Sequence, residues 1–312
     1  MTDSGPVHDY SLCGWKTSSA IELPELTPWQ GGGEESADLV IAKGLVPDRL
    51  DDIAFETPAL QLGAEGRARF AIDDVGVFLV EAGCRITVMP MPNADPRAVR
   101  LFLLGTPFGI LCHQRGLTPF HAAGVEIDGE AVLLAGASGI GKSTLSYAFL
   151  KRGFRLLSDD VTPVRVIDGG VEALPAIRRV RLWQDSADAA GMDVTRLERC
   201  RDGLDKYCAT AFDGFASEPV PVRALITLHR IPPHGEEIGF HQLRGGDAVE
   251  AAGRQIYRAR SFSATHGKIG ALARVTRVTA AIPQHFAMFR PLRFEDLNRH
   301  VDIIVEAVRA AR

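Results

Sequence analysis

Eight residues of this chain, Gly136-Ala137-Ser138-Gly139-Ile140-Gly141-Lys142-Ser143, have the types and spacing to hold a phosphate chain. The pattern is G-x-x-x-x-G-K-[ST]. Its glycines permit backbone angles closed to other residues, so successive N–H groups can turn inward around phosphate oxygens. Lys142 can then reach the outer phosphates as a point charge, and the Ser143 hydroxyl is placed to ligate the Mg²⁺ that accompanies them. With Thr144 opening the next segment, residues 136–144 are the candidate nucleotide-binding set. The purine type is open at this level.

These residues need elements to position them. An apolar run, Ala131 to Ala135, enters the turn, and an Ala- and Leu-rich helical pattern from Thr144 to Lys151 leaves it. In that strand, turn and helix order the motif becomes specific, because the helix presents its positive end to the anion. Downstream, Arg155-Leu156-Leu157-Ser158 reads as a short buried strand ending in Asp159-Asp160, which sets two carboxylates beside the turn. One acidic residue there commonly orders the metal. Adjacent residues of an extended strand point opposite ways, although at a strand end both can face the site. His121 heads a strand-like stretch to Ile127, and Asp128-Gly129 is a hairpin signal that folds it antiparallel onto the strand entering the turn. A lone histidine beside an apolar run is by itself more often a core or turn residue than a catalyst.

His-x-x-x-V ahead of a hairpin, then G-x-S-G-x-G-K-S, then R-G-x-R-L-x-x-D-D resembles the catalytic domain of HPr kinase/phosphorylase, over residues 118 to about 168. That family is a bacterial serine kinase whose fold is related to phosphoenolpyruvate carboxykinase. The resemblance implies ATP and Mg²⁺, with Asp159 as the base that receives the serine hydroxyl proton, His121 tuning or orienting it, and Asp160 helping Ser143 hold Mg²⁺. A carboxylate and a histidine beside a transferable phosphate suit hydroxyl activation. One departure matters: where the family carries Glu-Ile-Arg-Gly, this chain has Ala176-Ile177-Arg178-Arg179. The missing acid argues against a second acidic metal ligand and against phosphorylase activity. The chain is also similar to kinase-like proteins of lasso-peptide and related peptide-maturation systems, some of which phosphorylate a serine on a small precursor peptide. Because the related family forms hexamers through its catalytic domain, the resemblance also implies a homo-oligomer.

Composition bounds the rest. The chain has 312 residues, 46% hydrophobic and 24% charged, an ordinary soluble composition with room for two modest domains. A formal net charge of −4 argues against nucleic acid as partner. Five cysteines without a C-x-x-C pair or metal-ligand spacing fit a reducing cytoplasm. No apolar run reaches membrane-spanning length, and Met1-Thr2-Asp3-Ser4-Gly5 is not a leader.

Residues 1–36 read as a polar N-terminal segment with a flexible Gly31-Gly32-Gly33 run. Residues 37–115 read as a mostly antiparallel β-rich region closed by a linking helix that Pro107 interrupts, and residues 116–312 as the kinase domain. Arg178, Arg179 and Arg181 are candidates to meet the transferred phosphate, and Lys206 is a weaker one. The fold expected is therefore α/β, a phosphate-loop kinase domain of the HPr kinase and phosphoenolpyruvate carboxykinase-like type behind an N-terminal β-rich segment. The reaction expected is transfer of the ATP γ-phosphoryl group to a serine hydroxyl of a small protein or peptide. Two alternatives stay open: a kinase for a free hydroxyl-bearing metabolite such as an amino acid, and a non-catalytic ATP-sensing module.

Overall fold

A computed structural model of the protein describes residues 6–32, 35–210, 213–232 and 238–310. The reading of Met1 to Gly5 and the third glycine of the 31–33 run fall outside those ranges. The first layer is a nine-stranded sheet made of β1 (His8–Leu12), β2 (Trp15–Ser19), β3 (Thr27–Pro28), β4 (Leu39–Lys43), β5 (Ile53–Glu56), β6 (Leu60–Gly63), β7 (Ala68–Ile72), β8 (Gly76–Glu81) and β9 (Arg85–Pro90). Its order is β3-β1-β2-β4-β9-β8-β7-β6-β5, with β4 parallel to both neighbours and β5 to β9 pairing antiparallel. The sheet begins well before Ala37, inside the segment read as polar. β2 buries Lys16, Thr17 and Ser19, residues that give no apolar alternation to read.

Two helices follow, α1 (Pro96–Leu103) and α2 (Thr106–Gln114). The Asp95 carboxylate caps the first by accepting from the Arg97 N–H at 2.9 Å. The expected break falls at Gly105, and Pro107 sits in the first turn of the second helix, where a missing N–H removes no helical hydrogen bond.

The second sheet carries the candidate site. Along the chain come β10 (Thr118–Phe120), β11 (Ala122–Ile127), β12 (Glu130–Ala135), α3 (Lys142–Lys151), β13 (Arg155–Ser158), β14 (Thr162–Ile167) and β15 (Gly170–Ala173). A small excursion follows, β16 (Val180–Trp183), α4 (Gln184–Ala189), β17 (Glu198–Arg199) and β18 (Lys206–Ala209), whose strands pair as β16-β18-β17. The chain returns through β19 (Val220–Arg230), β20 (Gly239–Leu243), α5 (Gly245–Arg254), α6 (Ala259–Ala281), β21 (Gln284–Arg290) and α7 (Leu297–Ala310). The sheet order is β10-β14-β15-β19-β12-β11-β13, and β21 adds to β19 with β20 beyond it. Both faces are covered, so β12 runs apolar from Ala131 to Ala135. On β12, Val132 and Leu134 pack with Leu145 and Phe149 of α3 and Val301 of α7, whereas Ala131 and Leu133 pack with Ala252 of α5 and Val278 of α6.

Strand direction decides what meets at one edge. The Asp128-Gly129 turn has positive φ at both residues (51° and 82°) and pairs Ala122 with Ala135, so β11 starts where β12 ends. β13 runs antiparallel to β11, while β19 and β21 run parallel to β12. The end of β12, the start of β11, the end of β13 and the end of β21 therefore share one edge. Among the described residues no helix is long and apolar enough to cross a membrane.

Candidate active site

The turn from Gly136 to Gly141 joins the end of β12 to the N-terminus of α3. Its glycines are required by geometry. A Cβ on Gly136 would lie 2.8 Å from the Leu228 carbonyl oxygen of β19, and at Gly141 (φ 84°) it would lie 3.0 Å from Arg290 Nη2. Arg290, fully buried at the end of β21, donates from Nη2 to the Ile140 carbonyl (2.9 Å) and the Gly141 carbonyl (3.3 Å), so it holds the turn from behind. Burial brings its pKa down to about 10, and the guanidinium stays charged at neutral pH.

Lys142 folds back over the turn. Its ammonium donates to the Gly136 and Ala137 carbonyls at 2.7 and 3.2 Å and to His121 Nε2 at 3.2 Å. Burial lowers its pKa to about 8 against the pull of Asp160 and Asp159. Burial also lowers the pKa of His121, with Asp160 pulling the other way and Lys142 adding to the fall, so the imidazole is neutral at pH 7. Since Nε2 accepts from Lys142, Nδ1 carries the hydrogen and donates to the Asp160 carbonyl at 3.1 Å. The backbone N–H of His121 donates to Gln255 O, and the His121 ring lies 5.9 Å from that of Tyr257, so the α5 to α6 connection fixes the imidazole in place.

The two aspartates part company. Asp160 lines the cavity, its Oδ1 2.5 Å from Arg181 Nη2 and 3.7 Å from His121 Nδ1. Burial pushes its carboxyl up, but Arg181, His121, Lys206 and Arg179 together outweigh that and bring it to about 2. Asp159, expected as the proton acceptor, faces away from the cavity and is buried. Its Oδ1 accepts from Ser146 Oγ of α3 at 2.7 Å and its Oδ2 from the Arg181 N–H of β16 at 3.0 Å. This divergence has a simple cause, since consecutive residues leaving a strand project to opposite sides.

Of the three candidate arginines, Arg181 enters the site. Arg178 lies over the Phe215 ring, and the buried Arg179 side chain sits 3.6 Å from Glu25. Glu25 also accepts from Arg100 Nε, and its carbonyl accepts from the Arg178 N–H at 2.8 Å. A residue of the polar N-terminal segment thus anchors the stretch that delivers Arg181. Lys206, on β18, lines the cavity with its ammonium 5.4 Å from the Trp183 ring.

The cavity is about 260 Å³ and contains Ser138, Gly139, Gly141, Lys142, Ser143 and Thr144 of the candidate set. Gly136, Ala137 and Ile140 serve the turn through their backbone and do not line it. Five cationic side chains border it, Lys142, Arg181, Lys206, Arg290 and Arg293, against two carboxylates, Asp160 and Asp185. Arg181 Nε and Arg290 Nε are buried donors without a partner among the described residues. Such a donor set fits a polyphosphate. The Ser143 hydroxyl and the Asp160 carboxylate are hard oxygen donors of the kind Mg²⁺ takes from protein, in the number it usually takes.

Sequence reasoning missed Arg290, Arg293, Trp183, Asp185 and Ser186. Ser186 Oγ lies 2.9 Å from Thr144 Oγ1 and ties α4 to the start of α3. A readable signal existed for Arg290 alone: an arginine ending the apolar strand His285-Phe286-Ala287-Met288-Phe289 just before a proline.

The protein is a mixed α/β chain that gathers a glycine turn, a helix N-terminus and a cation-rich cavity at one sheet edge, an arrangement whose chemistry suits an anion. Comparison with known proteins narrows this. Residues 116–175 match the family model described as the HPr Serine kinase C-terminal domain, and the chain is HPr kinase-like over that segment. It is 42% identical over 52 residues to the HPr kinase/phosphorylases of Clostridium beijerinckii and Clostridium novyi. Each match covers 17% of this chain and 17% of the relative. The solved HPr(Ser) kinase/phosphatase of Coxiella burnetii overlays 60% of this chain and 98% of its own at 16% identity, with a TM-score of 0.31, too remote to place residues.

Proposed function

We propose that the protein transfers the γ-phosphoryl group of ATP to a hydroxyl, the serine of a small protein or peptide. The observation that carries this reading is the pairing of Asp160 and neutral His121 with Lys142 at the mouth of the glycine turn, an ionised carboxylate within reach of both a phosphate-binding lysine and a charge-neutralising arginine. The turn N–H groups and Lys142 hold the phosphates, and Arg181 and Lys206 offset charge on the transferred group. Ser143 holds Mg²⁺, which when bound neutralises phosphate charge. Asp160 takes the hydroxyl proton, which moves that role from Asp159 to its neighbour, while Asp160 and Ser143 remain the residues that would hold Mg²⁺.

A carboxyl held near pH 2 is a weak base, and the geometry supplies the remedy. Phosphates entering beside Arg181 and Lys206 draw those cations off Asp160 and bring negative charge close to it, and both changes raise its basicity when substrate is present. His121 Nδ1–H, fixed on the Asp160 carbonyl, keeps the carboxylate's backbone in place.

The test is a transfer assay with γ-labelled ATP and Mg²⁺ on size-fractionated lysate. Label in a peptide or small-protein fraction is expected. Label confined to metabolites would move the reading to a small-molecule kinase, and ATP binding without any label would leave a sensor.

Lys142 makes binding depend on pH. Its folded pKa lies below the unfolded value, so in the free protein the proton is lost as pH rises through about 8. ATP favours the ammonium, so binding above that pH takes up one proton, and affinity falls by about tenfold per pH unit. Calorimetric titration between pH 7 and 9.5 checks this, and Lys142→Arg should flatten the slope.

A further inference from the structure

We propose that the connection after β21, with Phe294 as its stacking surface and Leu292 and Leu297 beside it, is the seat of the nucleobase. The inference rests on the phosphate-binding reading of the glycine turn and adds what that reading leaves open, the place where the rest of the nucleotide lies. Two large aromatics are left exposed among the described residues, Trp183 at 47% and Phe294 at 44%, and both line the cavity beside the turn. An exposed aromatic face costs hydrophobic free energy unless something covers it, and a flat π-system is a chemically suited cover.

Sheet order selects Phe294. β12, which delivers the turn, has β11 and β13 on one side and β19 and β21 on the other. His121 and Asp160 belong to the first side, where the terminal phosphate must face the proton acceptor. A nucleotide lying along the turn then extends its base toward the β21 side. There Arg290 grips the Ile140 and Gly141 carbonyls, and Leu292 lies against Gly141, so that a Cβ placed on the glycine would be 3.4 Å from Leu292 Cδ2. The seat is thus continuous with the cradle. Trp183 is the weaker candidate because its ring already faces the Lys206 ammonium, on the Asp160 side. Arg293 is engaged by Asp296, Nε to Oδ2 at 2.6 Å, so the contact offered to the base is mainly apolar stacking.

Phe294→Ala and Phe294→Tyr are compared with the unaltered protein by calorimetric titration with ATP and with inorganic tripolyphosphate, and thermal melts confirm that both variants are folded. Phe294→Ala should weaken ATP by roughly 5- to 150-fold while leaving tripolyphosphate unchanged, and Phe294→Tyr should keep ATP affinity. If ATP and tripolyphosphate weaken together, or neither weakens, the base lies elsewhere and the phosphate-binding reading stands. If the unaltered protein binds neither ligand, that reading fails and the seat with it.

Discussion

Asp160→Asn is expected to lower phosphoryl transfer by about 10²- to 10⁴-fold while ATP still binds. The amide keeps the shape of the side chain but cannot accept the hydroxyl proton. Losing the carboxylate also frees Arg181, now 2.5 Å from Oδ1, to meet phosphate, so the affinity for ATP should hold or rise. A single-turnover assay with labelled ATP, run beside equilibrium binding, separates the two effects. Transfer at the unaltered rate would remove Asp160 as proton acceptor. A fall in binding that matched the fall in transfer would make it a metal ligand only.

Asp159→Ala is expected to act on the fold. Deleting this buried carboxylate strands the Arg181 N–H, which now ends on it at 3.0 Å, and takes from the Ser146 hydroxyl its 2.7 Å acceptor, leaving it the Ser143 carbonyl at 3.1 Å. Hydrogen bonds to charged groups contribute more than neutral ones, so the loss should be about 3 kcal/mol. Asp159→Asn retains one carbonyl oxygen, and the Ser146 hydroxyl can rotate, so roughly half that loss is expected. Urea unfolding with an unchanged m-value reads both. If Asp159→Ala kept full stability and lost transfer, the assignment of the two aspartates would be reversed. Arg181 makes the pair informative, since its backbone answers to Asp159 and its guanidinium to Asp160.

The strand, turn and helix around Lys142 were legible because everything they need is contiguous. The glycines, the apolar run before them and the Asp128-Gly129 hairpin act over a few residues, and local backbone preferences decide them. The broken helix at residues 96–114 was readable for the same reason. The strands of residues 8–19 were not, because β2 buries polar side chains that give no alternation.

The site was decided at longer range. Which aspartate faces the cavity follows from an N–H donated by Arg181, 22 positions away. Arg290 supports the turn from 149 and 150 positions away, and Glu25 anchors the arginine segment from the turn between β2 and β3. By itself the sequence determined that a glycine turn leads into a helix with a lysine, a serine and an acidic pair close by. Only the tertiary structure decided which carboxylate, which arginine and which aromatic reach that turn. Residue types carry local preference, but the direction in which a side chain faces depends on strand order and pairing, and partners distant in the chain set those.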